Sequence, residues 1–182
     1  MIRIGIAHYQ FEAIHPFLDG NGRIGRLLIT LYLVHHGLLS KPTLYLSDFI
    51  EKNRSTYYDN LIKVSEKNDI EQWLKFFLVG IIETANMATD TFNRIIILKE
   101  KLEKETIISL GKRIPNAKAL LIYLYNKPIV TVSEIISALE TTKPTANKLI
   151  NDFTSLGILK EQTGFKRNRI FVFEEYLRFF EK

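Results

Sequence analysis

The sequence predicts a mainly α protein in two unlike parts, a helical core followed by a helix-turn-helix closed with a small β-hairpin. Three observations carry this. Apolar residues recur at three- and four-residue spacing in successive segments, the pattern of helices that bury one face. Pro115 opens a new set of such segments after a long helical stretch that stops near Gly111. Two strand-like runs, Ile158 to Gln162 and Arg169 to Phe173, are joined through a turn at Thr163-Gly164. The expected division is a core at residues 1–88, a helical connector at 89–113 and the helix-turn-helix unit at 114–182.

A helix carrying Ala7, Phe11 and Ile14 comes first. After a polar loop, Ile24, Leu27, Leu28, Leu31 and Val34 follow helical spacing and are expected to form one buried stripe. Asn68 with Glu71 three residues later suggests a capping box. Trp73, Phe76, Phe77, Ile81 and Ala85 continue an apolar face from there, with a break expected around residues 89–91. Lys99, Glu100, Lys101, Glu103 and Lys104 fit a solvated helix face. Three short amphipathic helices follow: Ala117, Leu120, Leu121 and Leu124; Val132, Ile135, Ile136 and Leu139; Ala146, Leu149, Ile150 and Phe153. Thr142 is the expected N-cap of the third, with Pro144 in its first turn and Gly157 at its end. A last short helix is expected near Glu174.

Composition narrows the function classes. With no cysteine in 182 residues, disulfides, thiolate metal sites and thiol catalysis are excluded, and a reducing, cytoplasmic setting fits. No apolar run reaches the length of a membrane span, and the N-terminal residues are too polar for a signal peptide, so no membrane partner is expected. Residues 112–182 hold 12 Lys/Arg and 7 Asp/Glu, so the net charge of +5 belongs to that part.

The densest chemistry lies in His15-Pro16-Phe17-Leu18-Asp19-Gly20-Asn21-Gly22-Arg23-Ile24-Gly25-Arg26. The loop feeds a helix N-terminus, where unpaired N–H groups and partial positive charge suit an anion. Gly20 and Gly22 let the backbone approach a phosphate, and Arg23 and Arg26, three apart, suit different oxygens of one polyphosphate. Asp19 makes sense beside phosphate with a divalent cation between them, and Mg²⁺ uses one or two carboxylates plus phosphate oxygens. His15 is the candidate proton acceptor for an incoming hydroxyl, and Phe17 is expected to point into the core and pin the loop. A DGNG sequence alone would mark a tight turn, and Arg-x-x-Arg alone a solvated face; their order beside a histidine argues for a site.

His15, Phe17, Asp19, Gly20, Asn21, Gly22, Arg23 and Arg26 match without exception the signature of the Fic family, His-x-Phe-x-(Asp/Glu)-Gly-Asn-Gly-Arg-x-x-Arg. The flanking AHYQFEAIHPF, LLITLYLVHHGLL and YLSDFIEKNRSTYYDNL also look like the family, and the resemblance covers roughly the first half of the chain. It implies a Fic-fold helical core and protein adenylylation, the transfer of AMP from ATP to a Ser, Thr or Tyr hydroxyl of a target protein with release of pyrophosphate. In that reading His15 is the base and Asp19 holds Mg²⁺. Asn21 and the amides of Gly20 and Gly22 form an anion hole, and Arg23 and Arg26 bind the distal phosphates. Tyr57 is the candidate to pack against adenine. Gly22 stands where a kinase-like branch has lysine, which favours nucleotidyl transfer. In the family several helices and a β-hairpin flap precede the motif, so the chain is expected to be the C-terminal portion of such a protein and to transfer AMP poorly. Ser47 to Glu51 fits part of the family's inhibitory pattern by spacing, but it lies after the motif and is read as coincidence.

Helix, helix-turn-helix and hairpin resemble the winged-helix fold. That resemblance makes the helix at Ala146 to Phe153 the recognition helix, with Thr145, Asn147, Lys148 and Asn151 outward, and Lys166, Arg167 and Arg169 on the wing. DNA is one partner it implies; a protein partner or a homodimer is another. Two functional readings follow: an AMP transferase, and a DNA-binding regulator whose Fic part binds nucleotide without turnover. His35 and His36, adjacent on a helix, point too far apart to chelate one metal, and His8 is read as packing or hydrogen-bonding.

Overall fold

The computed structural model describes residues 1–165 and 168–181 and divides the chain into two compact units, 1–90 and 91–182. It is mainly α with one small antiparallel sheet, as the sequence predicts.

The first unit holds α1 (Ile2–Ile14), α2 (Asn21–His35), α3 (Ser47–Lys52), α4 (Arg54–Lys67) and the start of α5 (Ile70–Lys101). Its core gathers Ile4, Ile29, Leu33, Tyr57, Val64, Trp73 and Phe77. The Trp73 indole N–H donates to the Gly5 carbonyl at 2.9 Å, which ties α5 to α1. The expected face of α2 is corrected. Ile24, Leu27 and Leu31 are exposed, Leu28 and Val34 are partly buried with Leu28 against the core, and the buried face runs through Asn21, Gly25, Ile29 and Leu33 at four-residue spacing, with Thr30 beside it. The helix has two apolar faces, and the one that packs on α1 is the one whose small Gly25 permits close approach. On α1, Ile4, Gly5 and His8 are buried, Gly5 against Leu74 and Phe77 of α5, and Ile14 is exposed.

Asn68 also acts differently from the expected capping box. It closes α4 as a left-handed C-cap, φ 55°. Asp69 instead accepts the Gln72 N–H at 3.1 Å at the start of α5. No break interrupts α5 at residues 89–91: it runs unbroken for 32 residues, with Trp73, Phe77 and Ile81 on its buried side. Lys99–Glu103, Lys104–Glu100 and Lys101–Glu175 pair on its far end and beyond. A π-helical turn, Leu102–Thr106, and a 3₁₀ stretch, Ile107–Arg113, follow, and Gly111 leaves helical geometry where the sequence placed the stop.

In the second unit the apolar stripes lie where spacing puts them. Ala117, Leu120, Leu121 and Leu124 of α6 (Ile114–Asn126) are buried. So are Ile135 of α7 (Val132–Ala138) and Ala146, Leu149, Ile150 and Phe153 of α8 (Lys143–Ser155). Leu98, Leu102 and Ile107, within the stretch read from sequence as a connector, are buried in this same core. Thr142 caps α8 through the Thr145 N–H. The chain then forms β2 (Lys160–Glu161), β3 (Ile170–Val172) and α9 (Glu174–Leu177). A strand not foreseen, β1 (Ile129–Thr131), pairs antiparallel with β3, giving the order β1-β3-β2 with Val130 opposite Phe171. Three residues are too short for alternation to register, and Pro128 before them reads as a turn. Thr131 ends the strand and starts α7 with a reciprocal capping box to Glu134.

Among the described residues no helix is long and apolar enough to cross a membrane.

Candidate functional site

The His15–Arg26 segment links the end of α1 to the start of α2. His15 is the C-cap of α1: its N–H donates to the Phe11 carbonyl at 3.0 Å, and at φ 49° and ψ 57° it occupies the left-handed region. That conformation turns the chain sharply off the helix and leaves His15 exposed at the loop edge. Gly20, at φ 82°, makes the second turn and serves as N-cap of α2. No side chain caps this N-terminus, and the first ladder bond runs from the Ile24 N–H to the Gly20 carbonyl. The amides of Asn21, Gly22 and Arg23 therefore precede the ladder, the arrangement that draws an anion.

Asn21 is the pin of the loop. Its buried side chain accepts the Phe17 N–H at 3.0 Å and donates to the Phe17 carbonyl at 2.6 Å, closing the turn between Pro16 and Gly20. Phe17, expected in the core, is half exposed and meets Phe11 at a ring distance of 6.3 Å. The side chain of Asn21 is thus engaged with backbone, and what it turns towards an anion is its own N–H.

The two arginines diverge. Arg23 is exposed and lies 3.6 Å from the equally exposed Asp19, a loose pair that solvent or a ligand can open. Arg26 is half buried; its Nε–H donates to the Ser47 hydroxyl on α3 at 3.1 Å. Gly22 stands over it, so a side chain there would press on the Arg26 guanidinium. Among the described residues no group of three or more His, Asp or Glu side chains is placed to hold a metal by itself. A single exposed carboxylate beside an uncapped helix end fits Mg²⁺ in the mode in which phosphate oxygens and water complete the octahedron.

Beneath the loop lies a polar cluster that sequence reasoning did not assemble. His8 is fully buried, stacked on Trp73 with ring centroids 5.9 Å apart. Its Nδ1–H donates to the Gly25 carbonyl at 3.1 Å, because that oxygen can only accept, so Nε2 accepts the Tyr57 O–H at 3.0 Å. Burial is the main cause that lowers the His8 pKa to about 4; the Gly25 bond opposes it and the Arg26 charge adds to it. His8 is accordingly neutral. Burial likewise pushes the Tyr57 hydroxyl above its ordinary value. Tyr57, expected against adenine, is 3% exposed, with its ring among His8, Trp73 and Phe76. The hydrogen bond to a buried histidine holds it inside, and no face is left for a base. Its neighbour Tyr58 is the exposed ring, with the Arg54 guanidinium 5.9 Å above it. The sequence signal for the cluster was Gly25, a glycine inside a helix, which marks close approach of another element.

In the second unit, Asn147 contributes with Thr131, Val132, Ser133, Ile136, Lys143, Asn168 and Arg169 to a cleft of about 800 Å³ with mixed polar and apolar lining beside α7 and α8. Lys148 and Asn151 are exposed on α8, and the Thr145 hydroxyl lies 3.0 Å from that of Thr142. Arg169 pairs with Glu161 across the hairpin at 3.4 Å and covers the Phe171 ring. The expected wing residues Lys166 and Arg167 lie outside the described residues.

The family comparison falls on the same segment. The Fic/DOC family profile matches residues 1–33. Proteins named protein adenylyltransferase Fic, from Drosophila grimshawi and Drosophila erecta, are each 35% identical to this chain over 71 residues. The shared stretch is 39% of this chain and 13% of each relative, so it spans about an eighth of their length.

Proposed function

We propose, from the premise that this is a Fic family protein, that its loop transfers AMP from ATP to a hydroxyl side chain of a target protein. One observation carries the reading: a left-handed helix end presents His15 at the edge of an uncapped helix N-terminus flanked by two arginines and one carboxylate.

The attacking hydroxyl oxygen forms a bond to the α-phosphorus while the bond to pyrophosphate breaks. The hydroxyl proton passes to an imidazole nitrogen of His15. The amides of Asn21, Gly22 and Arg23, fixed by the Asn21–Phe17 clamp, face the charge that develops on the phosphate oxygens. Arg23 and Arg26 hold the departing pyrophosphate, Arg26 from a position set by Ser47. Asp19, paired only loosely with Arg23, would hold Mg²⁺, which when bound would offset the negative charge of the phosphates. The work is positioning and electrostatics with no covalent protein intermediate. A cytoplasmic setting belongs with this reading.

The test is incubation of the protein with labelled ATP, Mg²⁺ and a cell lysate, beside His15→Ala. Loss of a general base predicts a fall of about 10²–10⁴-fold in label transferred. Equal labelling by both proteins would end the proposal.

A second reading has its own observation, the cleft that places Lys143, Asn147 and Arg169 beside the helix expected to read DNA. A duplex held there should dissociate steeply between low and physiological salt, and binding that is flat with salt would exclude it. In that case the phenotype of the protein survives His15→Ala.

A further inference from the structure

Asn21-Gly22 is the one Asn-Gly pair in the sequence, and it lies inside the candidate site. Such a pair can deamidate. The Gly22 nitrogen, once solvent base has taken its proton, attacks the side-chain carbonyl carbon of Asn21. A C–N bond forms, the bond to Nδ2 breaks and ammonia leaves, which closes a five-membered succinimide. Water then opens the ring to aspartate or isoaspartate, with no change of oxidation state. Glycine has no Cβ to hinder the attack. The positive end of α2 favours it further, because it stabilises a deprotonated nitrogen in its first turn. Sequence and field thus both mark Asn21 as labile.

The folded loop opposes them. Phe17 engages both polar atoms of the Asn21 side chain: its N–H donates to Oδ1 at 3.0 Å, and its carbonyl accepts from Nδ2 at 2.6 Å. Asn21 is 2% exposed. The neighbouring Asp19-Gly20 lacks this protection, with an Asp19 side chain that is 94% exposed and pairs loosely with Arg23.

We propose that Asn21-Gly22 is a latent deamidation site that the Phe17 clamp keeps closed. The Asn21 side chain, reaching back four residues, is held off the Gly22 nitrogen until the loop opens. Deamidation then makes the opening permanent. Aspartate only accepts hydrogen bonds, so it cannot donate to the Phe17 carbonyl, and isoaspartate adds a methylene to the backbone beside the Gly22 N–H. Either product sets a negative charge at the amides that draw an anion. The effect on phosphate rests on the loop being a nucleotide site, whereas the clamp is read without nucleotide.

The experiment ages the protein in mildly alkaline buffer, folded and in guanidinium chloride, and follows Asn21 by site-resolved mass spectrometry. Hydrogen exchange of the Phe17 N–H is measured by NMR on the folded protein. Modification through an open state follows the population of that state. Two hydrogen bonds of ordinary strength predict a folded rate at least about tenfold below the unfolded one. The Phe17 N–H, freed by the same opening, should be protected to a similar degree. Phe17→Pro lacks the N–H that Oδ1 accepts, and it should deamidate faster than wild type while Trp73 fluorescence shows it folded. Folded protein that loses Asn21 within about tenfold of the unfolded rate overturns the proposal. So does a protected Asn21 beside a freely exchanging Phe17 N–H, a comparison that decides the matter even where Phe17→Pro does not fold. Isomerisation at Asp19-Gly20 leaves the mass unchanged and does not enter the count. The consequence is read by calorimetry on Asn21→Asp, expected to bind ATP·Mg²⁺ at least about tenfold more weakly than wild type. Equal affinity overturns that consequence. Wild-type protein that binds no ATP·Mg²⁺ sinks the transferase reading, while the deamidation and exchange rates still decide the clamp.

Discussion

Among the described residues, the fully buried polar side chains His8, Asn21, Thr30 and Asn60 all lie in residues 1–90, whereas the core of residues 91–182 is apolar. The two units are held by different means. In the second, stability comes from area and volume: Leu120, Leu121, Leu124, Ile135, Ile150 and Phe153 fill one interior, and each side chain contributes by removing surface from water. In the first, several buried groups must each meet a particular partner: His8 between Gly25 and Tyr57, Asn21 on Phe17, Thr30 on Leu44. Buried polar groups cost stability unless paired, so they fix geometry more narrowly than methyl groups do. The His15–Arg26 loop sits on the unit built that way.

The contrast can be broken or sharpened in order of expected effect. Leu121→Ala opens a cavity in a fully buried apolar site and should cost about 2–5 kcal/mol in chemical denaturation. A cost under 1 kcal/mol would mean that the second core is not held by its volume. Gly25→Ala adds one methyl group to the first unit, against Glu12 Oε1 and the His8 ring. A loss of about 1–3 kcal/mol is expected despite better helix propensity. Trp73, the single tryptophan, packs on His8 and reports the transition by fluorescence. A stabilised variant would show that the α1–α2 approach is not close.

The pH dependence separates the units further. His8 takes up a proton near 6.5 when unfolded and near 4 when folded, so its contribution is complete above 6.5 and is lost as pH falls towards 4. Between pH 7 and pH 5 the first unit should lose about 2 kcal/mol. Glu12, whose folded pKa is raised, acts with the opposite sign, so the measurement belongs in the Glu12→Gln background. A fluorescence midpoint that does not move with pH would remove His8 from the account. The smallest effect is expected at the cap of α7. Thr131→Ala breaks the reciprocal box with Glu134 and should cost about 1 kcal/mol by circular dichroism. A change within error would leave the strand β1 as what holds that helix start.

Legibility followed the same division. The stripes of α6, α7 and α8 could be read residue by residue because each helix has one apolar face and short connections leave little choice of what it packs on. The Thr142 cap and the Gly157 stop were legible for the same local reason. In the first unit α2 carries two apolar faces, and spacing favoured the one that is exposed. Tyr57, named from the family resemblance as the ring to pack against adenine, is instead held inside by the histidine 49 residues earlier through its hydroxyl.

By itself the sequence determined the helix content, the order of the elements and the turn-and-helix course of the twelve residues from His15 to Arg26, the candidate site, because helical period, caps and turns are settled by neighbours a few positions away. Only the tertiary structure decided which face of α2 is buried, that the Asn21 side chain serves the loop backbone, and that Arg26 reaches Ser47 while Tyr57 is held by His8. Those outcomes depend on contacts between α1, α2, α3 and α4. A long-range pairing of polar groups leaves no periodic trace in the chain that makes it.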